Sequence, residues 1–527
     1  MSAGKQPGKA AGREGSASGM RKDEAVRDAG RAEKLRVAMA ASEAIPFGKA
    51  GGLGDAVPAL AQALARQGAQ VRLFLPYYRK KVGGGIAVKR SPLGEARVRL
   101  GPEEVRASFH EGRLARPGVE VVLVGSERFF DREGIYDDPA TGKGYPDNGL
   151  RFAFFQRAVA EALRAGDFRP DVVHAHDNQC ALLPLLLQHD PGHPDRNAAT
   201  VLTIHNLGYQ GIYGMELLPF LGLPGWLARP MAPLEYYGSL SFLKGGIVAC
   251  DRLTTVSPRY SREVLTPELG CGLEGVLRER QREFSGILNG VDYEQWDPRH
   301  DAHLPARYSA EALEGKRACR DQLLEQVGLA PAGPGTMVLG FVGRLTGQKG
   351  LDLVAGMADR LLEADVRLVL LGTGEKEIEE RLTAAAGRHT GKMTAELRFD
   401  EALAHRITAG ADLLLMPSRY EPCGLNQLYA LRYGTLPIVR ETGGLADTVR
   451  DLDEDPERGN GFLFLEERPR ALLGTAFRAM DLRTRKPDVW RDAVRRAMAE
   501  DFSWDRAALA YREVFEAARR GRGVVRP

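Results

Sequence analysis

The same short pattern occurs twice in this chain, about four hundred residues apart. The first copy is Lys49-Ala50-Gly51-Gly52-Leu53-Gly54-Asp55 and the second is Glu441-Thr442-Gly443-Gly444-Leu445-Ala446-Asp447. Each follows an apolar run that reads as a strand and precedes residues at helical spacing. A pair of glycines at such a turn removes side-chain bulk, so backbone N–H groups can approach a ligand. A helix N-terminus there adds unpaired donors and a partial positive charge, which suits phosphate. One such turn in each half of the chain points to two α/β domains facing each other across a cleft, an arrangement that suits a two-part ligand such as a nucleotide-sugar. Taken singly, either copy is equally readable as a plain turn.

The residues between the two copies support the first reading. Leu35–Ala41 reads as a buried strand, Val57, Leu60 and Leu64 as one face of a helix that Gly68 ends, and 71–75 as the next strand. Apolar runs at 121–124, 171–174 and 201–204 continue the strand–helix alternation of a parallel sheet. A polar, proline-containing stretch begins near 288, and a second series of strands follows at 337–342, 366–371, 413–416 and 436–439. We therefore expect a disordered tail at 1–34, one Rossmann-like domain over 35–288, a second over 289–500, and a last helix over 501–520. Ser503 should cap that helix, and Ala508, Tyr511 and Phe515 make its apolar stripe. The tail has almost no large apolar groups and no apolar leader segment.

Composition excludes several classes. With 73 basic and 70 acidic residues the net charge is 73 − 70 = +3, too small a bias to argue for nucleic acid or a membrane surface as partner. No apolar run approaches the ~18–20 residues of a membrane span. The five cysteines are scattered, without a C-x-x-C, which argues against a disulfide framework or a zinc site and for a reducing cytoplasm.

In open α/β sheets ligands sit beyond the carboxyl ends of the strands. Chemistry-bearing residues cluster there: His176 and Asp177 after 171–174, His205 and Asn206 after 201–204, Arg344 and Lys349 after 337–342, and Ser418, Tyr420, Glu421, Cys423 and Gly424 after 413–416.

Together these strings resemble the bacterial glycogen synthase and plant starch synthase family of retaining glucosyltransferases. The matching segments are SEAIPFGKAGGLGD (42–55), HAHD (174–177), TIHNLGYQG (203–211), FLKGGI (242–247), LTTVSPRYSREV (253–264), ILNGVD (287–292), GRLTGQKG (343–350), the long run at 417–449 and NGFLF (460–464). The resemblance spans about 35–520. It implies a GT-B fold, two Rossmann-like doubly wound α/β domains with the C-terminal helix crossing back to the first. It also implies transfer of glucose from ADP-glucose to the non-reducing end of an α-1,4-glucan with retention of configuration, and neither metal nor cofactor.

The resemblance assigns roles residue by residue. Arg344 and Lys349 hold the diphosphate from the second domain and Lys49 reaches it from the first. Glu421 lies at the donor glucose, either orienting the sugar or stabilising a cationic ring. Front-face departure and attack is favoured over a covalent glucosyl-enzyme. His205 and Asp177 lie near the glucose 6-hydroxyl, and Asn206 and Asn289 are further hydrogen-bonding groups. Glu43, Asp55, Gly51 and Gly52 flank the Lys49 turn, although Asp55 is equally readable as the cap of a helix beginning at 56. Tyr136 matches a position near the sugar. Backbone N–H groups around Cys423, Gly424 and Leu425, and those of Thr442, Gly443 and Gly444, are expected at the substrate; His174 is read as structural. Two positions depart from the family pattern: Asn178 stands where a Trp is usual, and Phe399 where a Tyr stacks on adenine. A related transferase using UDP-glucose or a small acceptor is the first alternative. An inactive glucan-binding relative is the second, although Lys49, Arg344, Lys349 and Glu421 are all retained.

Overall fold

The computed structural model describes residues 1, 4, 34–83, 86–114 and 119–522. The expected tail over 1–34 therefore falls almost entirely outside the described residues.

Two sheets carry the architecture. The first contains, in chain order, β1 (Arg36–Ala40), β2 (Gln70–Pro76), β3 (Lys89–Leu100), β4 (Glu103–Arg113), β5 (Val119–Gly125), β6 (Val172–His176), β7 (Ala199–Ile204), β8 (Arg252–Thr255) and β9 (Phe284–Gly286). Their spatial order is β9-β8-β7-β6-β1-β2-β5-β4-β3. The central strand β1 lies parallel to both neighbours, with Val37 opposite Val71 on one side and Val172 on the other. Apolar on both faces, these strands appear in sequence as unbroken Val/Leu/Ala runs. One region departs from the parallel expectation. β3 and β4 form an antiparallel hairpin that pairs with β5 and ends the sheet. Its mostly charged, exposed residues interrupt the apolar pattern, and only alternate positions such as Val98, Leu100, Ala107 and Phe109 turn inward.

The second sheet contains β10 (Met337–Val342), β11 (Val366–Leu371), β12 (Met393–Glu396), β13 (Leu413–Met416), β14 (Leu436–Arg440) and β15 (Phe462–Phe464), ordered β12-β11-β10-β13-β14-β15 and parallel throughout.

Six helices matter for the site: α1 (Leu53–Arg66), α2 (Pro258–Glu263), α3 (Leu351–Leu361), α4 (Asn426–Arg432), α5 (Gly443–Thr448) and α6 (Trp504–Arg522). α6 returns to the first sheet. Its Trp504, Ala508, Tyr511 and Phe515 are buried with Val37, Met39, Leu60 and Leu64 in one apolar cluster, and Arg66 at the end of α1 pairs with Asp505. The α6 stripe read from the sequence thus packs on the first domain. No helix among the described residues is long and apolar enough to cross a membrane.

Candidate active site

The two glycine turns stand at the carboxyl ends of β1 and β14, as strand–turn–helix units require. In the first, the buried Glu43 carboxylate organises the turn. Its Oε2 accepts the N–H groups of Ala50 and Gly51, the latter at 2.8 Å, and its Oε1 accepts the Tyr136 hydroxyl at 2.8 Å. Tyr136 also bonds Ser42 Oγ at 2.6 Å. Burial raises the Glu43 pKa above the ordinary carboxylate range, against the pull of these donors. α1 starts at Leu53, with Gly52 as its N-cap and no side-chain cap. Asp55 is therefore inside the first turn and does not cap a helix beginning at 56. Its Oδ1 instead accepts Lys49 Nζ at 2.7 Å.

In the second turn the glycines are required by packing. Gly443 has φ +46°, and a Cβ there would lie 1.9 Å from the Glu421 carbonyl oxygen; one on Gly444 would lie 2.1 Å from that of Cys423. The Gly444 N–H donates to the Glu421 carbonyl at 3.1 Å, and that of Gly443 donates to Glu263, a carboxylate of the first domain, at 3.0 Å. In both turns, then, glycine N–H groups expected at a ligand hold a protein carboxylate. Sequence reasoning passed over Glu263 although it lies in the matched segment 253–264, because a Glu on a helix is most often solvated.

The loop after β13 carries Glu421. Its Oε2 accepts Lys349 Nζ in a close ion pair and Ser418 Oγ at 2.9 Å, and the residue is 6% exposed. The loop is braced on several sides. Arg419 pairs with Asp352 on α3 at 2.7 Å, the Arg419 N–H donates to the Gln348 carbonyl at 2.8 Å, and Arg440 donates to the carbonyls of Ser418 and Arg419. Arg344 is exposed, with Nη2 on Gln348 Oε1 at 3.0 Å. Gly424 has φ +73°, and Leu425 leads into α4. Buried Cys423 has its thiol pushed up to about 12 by burial. Asn289 is 8% exposed and its Oδ1 has no hydrogen-bond partner among the described residues.

On the opposite wall burial works against charge, with His174 and His176 fully buried and His205, Asp177 and Asn206 half-buried. His176, the last residue of β6 rather than a loop residue, bonds His205 through Nδ1···Nε2 at 3.0 Å. His174 bonds Thr203 Oγ1 at 2.6 Å and packs against Tyr511 and Phe515 of α6 in tilted and edge-on contacts. Burial lowers the His174 and His205 pKa values to about 3 and holds His176 well below its usual value. Asp177 adopts φ +56°, a left-handed conformation that Asp tolerates. Its Oδ1 accepts the His205 N–H at 2.7 Å, and burial raises its pKa to about 7. Asn206 Oδ1 accepts the Gly208 N–H at 3.0 Å. The amide of Asn178, at the departure from the family pattern, donates to the Tyr209 carbonyl at 3.0 Å while the residue is 4% exposed, so it fixes a loop rather than presenting a surface.

The two walls meet. A Cβ on Gly52 would lie 3.9 Å from Leu425, and one on Gly208 3.7 Å from the Tyr420 hydroxyl. Behind the meeting point, a cavity of about 310 Å³ is lined by Pro46, Asp55 and Gln62 on one side and Trp296, Leu425 and Tyr429 on the other. Phe399 stands apart on the second domain, 85% exposed just before the helix at 401–410.

The chain is similar over nearly its whole length to known proteins. Residues 36–279 match the family model described as starch synthase catalytic domain, and residues 331–496 that of glycosyl transferases group 1. A glycogen synthase of Anaeromyxobacter dehalogenans is 45% identical over 91% of this chain and 99% of its own. A glycogen synthase 2 of Geobacter metallireducens is 43% identical over 91% of this chain and 98% of its own. The catalytic domain of starch synthase IV from Arabidopsis thaliana, solved with ADP and acarbose, matches with a TM-score of 0.85 and 32% identity, covering 93% of this chain and 100% of that one.

Proposed function

The chain belongs to the glycogen synthase and starch synthase family of glycosyltransferases, and from that premise we propose that it transfers glucose from ADP-glucose to the non-reducing end of an α-1,4-glucan, with retention. The observation that carries the proposal is a buried Glu421 paired with Lys349, on a wall that also carries Arg344 and that meets the Lys49 turn where Leu425 approaches Gly52.

In the reaction the glucosyl C1–O bond to the diphosphate breaks and a C1–O4 bond to the acceptor forms. The acceptor hydroxyl proton passes to the departing diphosphate. Negative charge builds on the leaving group and positive charge on the ring. Arg344, Lys349 and Lys49 are the fixed cations for the first, and Glu421 is the fixed anion for the second. Lys349 serves both, because its ammonium has three donors and Glu421 takes one in the absence of donor substrate. His205 and Asp177 present neutral or weakly charged hydrogen-bonding groups to the sugar, and the unpaired Asn289 Oδ1 offers an acceptor to a hydroxyl. Exposed Phe399 supplies a flat apolar face for adenine. Unpaired cysteines fit a cytoplasmic setting.

The test is glucose incorporation into glycogen from ADP-glucose against UDP-glucose, with the product linkage digested by an α-1,4-specific amylase. Higher kcat/KM for ADP-glucose and complete digestion support the reading. Equal or better use of UDP-glucose refutes the donor assignment.

A further inference from the structure

Two six-residue helices, one from each half of the chain, cap each other. At the start of α5 the Gly443 N–H donates to both oxygens of Glu263, at 3.1 and 3.0 Å, and Thr442 Oγ1 donates to the same carboxylate at 3.3 Å. Glu263 is the last residue of α2. At the start of α2 the Arg259 N–H donates to Asp447 Oδ2 at 2.7 Å, and Asp447 lies in the last turn of α5. Each helix thus satisfies an N-terminal donor of the other with a carboxylate, and the partial charge of each N-terminus adds to the attraction. Arg259 closes the joint, with Nε on Glu263 Oε1 at 3.1 Å and Nη1 3.5 Å from Glu441.

The joint abuts the site. Next to Gly443, the Gly444 N–H holds the Glu421 carbonyl, and both glycines lie so close to residues 421–423 that neither has room for a Cβ. Arg440, which grips the carbonyls of Ser418 and Arg419, is partly buried; burial lowers its pKa, and the charges of Glu467 and then Glu263 oppose the fall. Glu263 therefore sits one residue from the segment on which Glu421 rests, yet it belongs to the domain that carries Lys49 and His205.

We propose that Glu263 is a positioning residue for glucosyl transfer: through Gly443 and Gly444 it fixes the Glu421 backbone relative to the opposite wall. This rests on the transfer reading above. Reactions that depend on alignment across two walls lose rate steeply with small displacements. Glu263→Ala removes the acceptor for three donors, the Gly443 N–H, Thr442 Oγ1 and Arg259 Nε, and lets the start of α5 shift. Glu263→Gln keeps an acceptor oxygen of the same reach.

The experiment measures kcat, donor KM, ADP affinity, melting temperature and backbone hydrogen exchange over 418–425 in the full chain. For Glu263→Ala we expect kcat per folded molecule to fall roughly 10- to 100-fold, with donor KM and ADP affinity within about threefold of the parent. Faster exchange over 418–425 should accompany the loss, and Glu263→Gln should recover most of the rate. A purely structural contact would lower the melting temperature and leave kcat of the folded fraction unchanged; that result overturns the proposal. So does unchanged exchange over 418–425. If Glu263→Ala does not fold, Thr442→Val and Asp447→Asn load the same joint more gently, and unchanged kcat and exchange in both overturns it equally. A parent that transfers glucose from no nucleotide-glucose sinks the functional reading instead, while the exchange measurement still reports on the coupling.

Discussion

The two walls of the cleft handle burial in opposite ways. On the first, burial suppresses charge: His174, His176 and His205 are held neutral, and Glu43 and Asp177 are pushed up toward protonation. On the second, charge is kept and paired, with Glu421 on Lys349, Arg419 on Asp352 and exposed Arg344 at the rim. An uncharged sugar is recognised by donors and acceptors that pay little desolvation, whereas a departing diphosphate needs full charges fixed in advance. The division between the walls therefore follows the proposed donor only in part: the first wall's buried hydrogen-bonding groups suit the sugar and the second wall's cations the diphosphate, while Lys49 reaches the diphosphate from the first wall and Glu421 the sugar ring from the second.

The strongest way to break this comparison is to remove charge from the second wall. Arg344→Ala and Lys349→Ala should each lower kcat ~10²–10³-fold and weaken ADP binding, since the diphosphate is charged before reaction. Glu421→Gln should lower kcat comparably with ADP affinity nearly unchanged. Lys349→Ala should also destabilise the fold, because it leaves Glu421, 6% exposed, without its cation; breaking such a buried pair costs roughly 3–5 kcal/mol. Adding Glu421→Gln to Lys349→Ala should then restore melting temperature but not turnover. If the double variant melts no higher than Lys349→Ala alone, the pair does not govern stability. If Glu421→Gln turns over within about threefold of the parent, Glu421 is a positioning group only.

How legible each wall was follows from the same physics. The second wall's residues lie close in sequence, at 344–349 and 417–425, after apolar runs that can only be buried strands, so strand ends and site were readable together. Much of the first wall was readable for the same reason, at 174–177 and 205–206. What escaped depends on contacts between distant segments. Nothing local in Glu43 says that its carboxylate holds the Ala50 and Gly51 donors, or in Glu263 that it reaches Gly443 across the domains. The glycine pairs were recognised as significant, but the second is needed for the backbone of 421–423 to pack, which is a tertiary fact. The hairpin β3–β4 was missed because an exposed edge carries little periodic apolar signal. The helix start at Leu53 was placed late because Gly52 and Leu53 carry no capping chemistry.

A milder perturbation sharpens the comparison from the first wall. Glu43→Ala removes the acceptor for two N–H donors of the Lys49 turn, at a cost of about 1–3 kcal/mol in stability. Lys49 then loses its fixed start. Donor KM should rise about tenfold with kcat falling less, since Lys49 acts on the diphosphate already present in the ground state. Kinetics that match the parent, with only a lower melting temperature, would separate the Glu43 brace from the function of Lys49.

The smallest effect lies in the pH dependence of stability, where the first wall's groups oppose one another. His174, His176 and His205 have folded pKa values below the ordinary ~6.5, two of them at about 3. The unfolded chain therefore binds more protons than the folded one below pH ~6.5, and stability from these groups is lost as pH falls through that window. Asp177 acts the other way. Its folded pKa is about 7 against ~3.9 unfolded, so the folded chain binds the extra proton between those values. Its contribution is complete below the lower value and is lost as pH rises through the upper one. Glu43 and Asp55, also raised by burial, act in the same direction as Asp177, so melting temperature should climb from pH 4 to about 6.5 less steeply than the three histidines alone would give, and flatten above 7. Asp177→Asn isolates the smaller term, because an amide does not titrate. The melting temperature of the variant minus that of the parent should grow more positive from pH 4 to 7 and then level off. A difference that stays constant across pH 4–8 would mean that Asp177 ionises in the usual carboxylate range, and that the first wall carries a charge where the comparison assigns it none.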